Sequence, residues 1–250
     1  MATYHNPLNT RLSDSQKNDN AAFIYEYLSS KGWTMQAVAA LLGNFESECG
    51  LNPNVFEGYY IHSSDLGKYG YGLAQWTPWL GTSTYNTPAK QRNYHGSNNP
   101  TFGRWCLDNG RDKRLMETQL DYVHTGLGGY IKTSNYNLTY AQFRVSTRGA
   151  DWLSKLYYVN YERSAAGTWG PRPSQALAWF EYLRNLYTPG VPAPEPDPGT
   201  PEPDPLPGTP EPEPDPEVTP EEPKEYLHST PSNVLKMILW KGRPTIRVVR

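Results

Sequence analysis

The sequence predicts an α+β fold: a mostly helical body with one small β-hairpin, followed by a proline-rich linker and a short C-terminal tail. Three observations lead there. Apolar residues recur at helical spacing in several stretches before residue 188. Between two of these stretches, from Asn54 to about Asn99, that period disappears. Gly58, Gly67, Gly70, Gly72 and Gly81 alternate there with Tyr and Leu, the pattern of a small antiparallel hairpin with long loops. Finally, PEPDP occurs at 194–198, 201–205 and 212–216, a low-complexity repeat that no packed core accommodates.

The helices follow in order. Residues 19–31 place Phe23, Ile24 and Leu28 near one face, and Gly32 is a stop signal. Thr34 then reads as the N-cap of a second helix, in which Val38, Leu41, Leu42 and Phe45 form a buried stripe ended by Gly50 and Pro53. Helical patterns return at 112–124, 150–163 and 174–187. These elements define a body over residues 1–187. The linker, 188–223, holds 15 of the 24 prolines and 10 of the 25 acids with no base, so an extended polyproline-II spacer is expected. At about 3.1 Å per residue it reaches on the order of 110 Å. Residues 224–250 are too few for their own core. Val234–Trp240 and Thr245–Val249 flank a Lys-Gly-Arg-Pro connection, a hairpin that needs a partner.

Charge is partitioned the same way: the body is +3, the linker −10 and the tail +5, for a net −2 over 250 residues. No region of foldable size is strongly basic, which argues against nucleic-acid binding. No run of about 18 apolar residues offers a membrane span, and the first twenty residues lack the apolar core of a secretory signal. Cys49 and Cys106 are too few for a disulfide framework, and no CxxC or His cluster indicates zinc or another metal. Two free thiols are expected, and no cofactor. The 19 Tyr and 8 Trp are the compositional outlier, serving either a core or a glycan- or protein-binding surface.

The chemistry concentrates at the end of the second helix, Gly43-Asn44-Phe45-Glu46-Ser47-Glu48-Cys49-Gly50-Leu51-Asn52-Pro53, and in Gly70-Tyr71-Gly72-Leu73-Ala74-Gln75-Trp76-Thr77-Pro78. A carboxyl in the last turn of an apolar helix is partly desolvated and faces the negative end of the helix dipole. Both effects favour the protonated form that a general acid needs. Glu46 and Glu48 flank the stripe symmetrically, and either is equally a solvated charge on an amphipathic helix.

The two segments together resemble the paired signature of phage tail lysozymes, and more distantly goose-type lysozymes and lytic transglycosylases. Their motif runs Glu-Ser-x-x-Asn-Pro and then Gly-x-x-Gly-Leu-x-Gln. The resemblance covers roughly residues 20–187, and Tyr161-Glu162-Arg163 resembles a segment near the end of such domains. It implies a lysozyme-like fold and assigns the catalytic glutamate to Glu48. Cys49 stands where the family commonly has serine. Nothing after Pro223 matches the modules often attached to such enzymes.

The activity implied is hydrolysis of the β-1,4 bond between N-acetylmuramic acid and N-acetylglucosamine in peptidoglycan. Glu48 is then the proton donor and Asp65 the candidate second carboxylate. Glu57 is the reserve, and Asp65 reads equally well as a turn residue. Gln75 is a candidate for an acetamido group or a water. Tyr71, Trp76 and Trp79 are candidates for stacking on sugars, though the same rings serve ordinary packing. Tyr161 and Glu162 are expected to line the cleft from its far side. The role implied is wall penetration by an enzyme made in the host cytoplasm and carried on the virion tail. Residues 224–250 would dock it to another tail protein. An endolysin, a lytic transglycosylase and a non-catalytic glycan-binding tail protein are the alternatives.

Overall fold

The computed structural model describes residues 2–59, 69–76, 100–127, 129–162 and 168–190, and three strands at 225–230, 233–240 and 243–248. Asp65, Trp79, Arg163 and nearly all of the proline-rich segment lie outside the described residues. The chain divides into two compact units, Met1–Thr200 and Pro201–Arg250.

In the first unit, α1 (Asp14–Ser29) begins at a capping box. The Ser13 hydroxyl accepts from the Gln16 amide and the Gln16 side chain accepts from the Ser13 amide, which satisfies two end groups of the helix. Helix α2 (Met35–Cys49) starts at Thr34, whose hydroxyl accepts from the Ala37 amide, and stops at Gly50 in a left-handed conformation (φ 60°). The predicted stripe is wider than its four residues, because every residue from Ala37 to Phe45 is buried. A helix buried on all sides is the centre of a domain rather than a face of it. Around it pack α1, α6 (Ala150–Asn160) and α7 (Arg172–Tyr187).

Three shorter helices complete the unit: α3 (Phe102–Asp108), α4 (Met116–Thr125) and α5 (Tyr140–Arg144). The α2–α7 crossing depends on Gly43. A Cβ there would lie 2.5 Å from the Arg172 carbonyl oxygen and 2.7 Å from the Ala176 amide nitrogen, so only glycine lets the two backbones meet. The N-terminal segment is sewn to the centre of the unit by buried amides. Asn20 donates to the His5 and Leu51 carbonyls (both 2.8 Å), and Asn52 to those of Pro7 and Thr10 (both 2.8 Å).

The expected hairpin is not formed by the described residues of the 54–99 stretch. Two isolated bridges stand in its place, Phe56 with Tyr71 and Tyr71 with Trp76. Tyr71 pairs in both directions, and the chain reverses immediately after it. Gly72 (φ 79°) and Gln75 (φ 44°) are left-handed, a geometry that cannot propagate as strand. Among the described residues, regular strands occur in the second unit alone. There β1 (Glu225–Thr230), β2 (Asn233–Trp240) and β3 (Arg243–Val248) form an antiparallel meander, with Tyr226 opposite Met237 and Met237 opposite Ile246. The predicted tail hairpin is β2–β3, and β1 supplies the additional strand that the sequence pattern did not reveal.

Candidate active site

The last turn of α2 offers two carboxyl groups with different surroundings. Glu46 turns toward α1 and the middle of α7, where it meets Lys17 Nζ at 3.1 Å and accepts from Trp179 Nε1 at 2.9 Å. It therefore ties three helices together. Glu48 turns toward the start of α7, where its Oε1 is ion-paired and hydrogen-bonded to the Arg172 guanidinium. It keeps 22% side-chain exposure. Periodicity leaves the two residues equivalent, and their partners separate them.

Arg172 is held from several directions. Its guanidinium lies over the Tyr158 ring (4.6 Å to the centroid) and donates to the Trp169 carbonyl at 3.4 Å. Its Nε is 3.6 Å from Glu162 Oε2. Glu162 follows the C-cap of α6 with 10% side-chain exposure, and its carboxyl is hydrogen-bonded to that of Glu48. Burial, followed by the negative charge and proximity of Glu48, pushes the Glu162 carboxyl up to about 8 against the opposing pull of Arg172. Glu162 is thus brought beside Glu48. Two carboxyls this close do not straddle a sugar–sugar bond, which needs about 5 Å or more between them.

The other predicted site residues take structural positions. Tyr71 is 1% exposed and donates through its hydroxyl to Asn54 Oδ1 (2.9 Å), while its ring packs on Phe56. Trp76 stacks on Phe102 (4.5 Å) and donates from Nε1 to the Tyr161 hydroxyl (2.9 Å). Tyr161 in turn stacks on Tyr157 (4.6 Å). The sugar-stacking expectation for Tyr71 and Trp76 does not go with this placement, because their faces are covered by other rings. Gln75 donates to the Gly72 carbonyl at 2.9 Å and closes its own turn. Glu57 accepts from the Gly70 amide (3.1 Å), which fixes the same segment from the other side.

Gln119, which no motif singles out, organises this turn. It is fully buried; Oε1 accepts from the Leu73 amide (2.8 Å), and Nε2 donates to the carbonyls of Pro53 (2.6 Å) and Lys113 (2.8 Å). A Cβ on Gly72 would lie 2.5 Å from Gln119 Oε1, so glycine and glutamine fit one another at that point. Cys49 is buried and its thiol donates to the Phe45 carbonyl (3.1 Å), a local bond that serine would also make. Cys106 is likewise free and buried. Among the described residues no group of three His, Cys, Asp or Glu side chains could hold a metal ion, and no helix is long and apolar enough to cross a membrane.

The family model of the phage tail lysozyme matches residues 19–183. This chain belongs to the phage tail lysozyme family. The matched span contains Glu48, Glu162 and Arg172, and also the Gly43 crossing that brings α7 against α2. A related protein is "Morphogenesis protein 1" of Bacillus phage B103, 29% identical over 184 residues. The alignment covers 73% of this chain but 44% of the relative, so the chain spans less than half of that protein's length. As a phage tail lysozyme, the chain carries its lysozyme-like part in the first unit. The three-stranded meander of the second unit lies beyond the family match.

Proposed function

We propose that this phage tail lysozyme is a muramidase that hydrolyses the β-1,4 bond between N-acetylmuramic acid and N-acetylglucosamine, with Glu48 as the proton donor. The observation that carries the reading is the placement of Glu48. It is a partly exposed carboxyl at the end of a helix whose middle, Ala37 to Phe45, is buried, gripped by an arginine and backed by a second, buried carboxyl. Glu48 protonates the glycosidic oxygen, the bond to the anomeric carbon breaks, and water attacks the oxocarbenium-like centre. Asp65 remains the proposed second carboxylate. Glu162 is too close to Glu48 for that role.

The enzyme acts on a phage particle, opening the wall locally on entry, and the strands of 225–248 attach it to another tail component. The name of the Bacillus phage relative, a morphogenesis protein, favours a particle component over a release enzyme. The test is lysis of wall preparations by the full chain and two variants. Glu48→Gln keeps the shape but has no acidic proton, and activity should fall by about 100-fold or more. Glu46→Gln keeps an acceptor for Trp179 and should stay within a few-fold of the parent. Equal losses in both would refute the assignment of Glu48.

A further inference from the structure

We infer that Glu162 and Arg172 are positioning residues that hold Glu48 and one shared proton as a neutral three-residue cluster, with Glu162 the reservoir that recharges Glu48. This deepens the muramidase reading and rests on it for its catalytic part, though the cluster itself can be tested without substrate.

Two carboxylates and one guanidinium sum to −1, and they meet where side-chain exposure is 22% for Glu48, 15% for Arg172 and 10% for Glu162. An uncompensated charge at such depth is costly, and a single proton brings the sum to zero. Geometry decides which oxygen holds it. Arg172 is hydrogen-bonded to Glu48 Oε1, whereas Glu162 Oε2 is 3.6 Å from Arg172 Nε and the Glu162 carboxyl is hydrogen-bonded to that of Glu48, a bond that needs one proton between them. The carboxyl with the poorer contact to the cation keeps the proton.

Among the described residues, the groups facing Glu162 include Glu48 from α2, Arg172 from α7 and Tyr157 from α6. The Tyr157 hydroxyl is held in its neutral form by burial and adds no charge. Glu162 itself is too buried, and too close to Glu48, to reach a glycosidic oxygen independently.

The step balances as a relay. As the glycosidic bond breaks, its electron pair goes to the leaving oxygen, which takes a proton from Glu48. Glu48 has received that proton from Glu162. The water that attacks the anomeric carbon releases one proton, which restores the pair. Arg172 keeps Glu48 oriented throughout and contributes the positive charge that fixes the proton count at one.

The experiment is a carbon-13 NMR titration of the full chain labelled at glutamate carboxyl carbons, run beside the pH profile of wall cleavage. The parent should show one glutamate titrating far above the ordinary carboxyl range, and Glu162→Gln should remove that signal. Arg172→Gln, which leaves the carboxyls without their cation, should move it to higher pH, while Arg172→Lys keeps the charge and should move it less. In cleavage, the alkaline limb should shift to lower pH in Glu162→Gln and to higher pH in Arg172→Gln. One pH unit corresponds to a roughly tenfold change in rate on that limb.

A purely structural role lowers activity without opposite shifts. A parent spectrum with no such glutamate, or one unmoved by Arg172→Gln, overturns the cluster. A parent that shows the shifted glutamate but does not cleave wall overturns the muramidase reading and the relay, leaving the cluster standing.

Discussion

Replacing Gly43 by alanine puts a methyl group where α7 crosses α2. Helix propensity alone makes the change favourable by about 1 kcal/mol, since alanine restricts the unfolded chain more than glycine does. The crossing opposes it. The new Cβ would stand 2.5 Å from the Arg172 carbonyl oxygen, 2.7 Å from the Ala176 nitrogen and 2.9 Å from the Ala176 Cβ, and two of these atoms are backbone that no rotamer change can move. Overpacking of this kind costs typically 1–3 kcal/mol, and rigid neighbours place it near about 3.

The expected net loss is about 2 kcal/mol, or about 4–8 °C in the melting temperature of a unit this size. Arg172 itself must move, so wall cleavage should fall further than the stability loss explains, and its pH profile should change. Thermal unfolding by circular dichroism and turbidity clearing on wall preparations measure the two effects. A melting temperature equal to or above the parent's, with full activity, would refute the close-approach argument.

Other consequences follow from the same contacts. Gln119→Ala leaves the Leu73 amide and the Pro53 carbonyl without their buried partner, and should lower stability by about 2–4 kcal/mol in chemical denaturation. Stability should also depend on pH through Glu162. Its carboxyl rises from 4.5 to about 8 on folding, so across that window the folded chain binds a proton that the unfolded chain has lost. Stability therefore falls as pH rises through it, and Glu162→Gln should flatten the slope in melts from pH 5 to about 8.5. Asp112 works with the opposite sign: hydrogen bonds from Arg114 hold its carboxyl low, and that contribution disappears as pH falls through the lowered value. Removing residues 224–250 should leave wall cleavage by the purified enzyme intact but prevent its incorporation into particles, as measured by immunoblotting of purified virions.

What the sequence made legible was local. Thr34, the Val38–Phe45 stripe and Gly50 announced α2 because capping, period and termination are encoded within one helix. The partnership of Glu48 with Arg172 was not legible, since it joins residues 124 apart in sequence. Its one local trace was Gly43, a poor helix former in the middle of an apolar helix, which marks a close approach by another backbone. The ring-rich composition misled for a related reason. Tyr71, Trp76 and Tyr161 have the side chains of a sugar platform, but packing turned their faces inward and engaged their polar atoms with one another or with Asn54. In the described part of the expected hairpin, Gly72 and Gln75 take left-handed conformations closed by side-chain amides, which an alternation of glycines does not reveal.

The most direct test of the central claim is mass spectrometry of the products released from purified peptidoglycan by the full chain and by Glu48→Gln. Fragments ending in reducing N-acetylmuramic acid are expected from the parent, and essentially none from Glu48→Gln. Anhydro-muramic ends, cleavage at another bond, or equal product from the two proteins would contradict it.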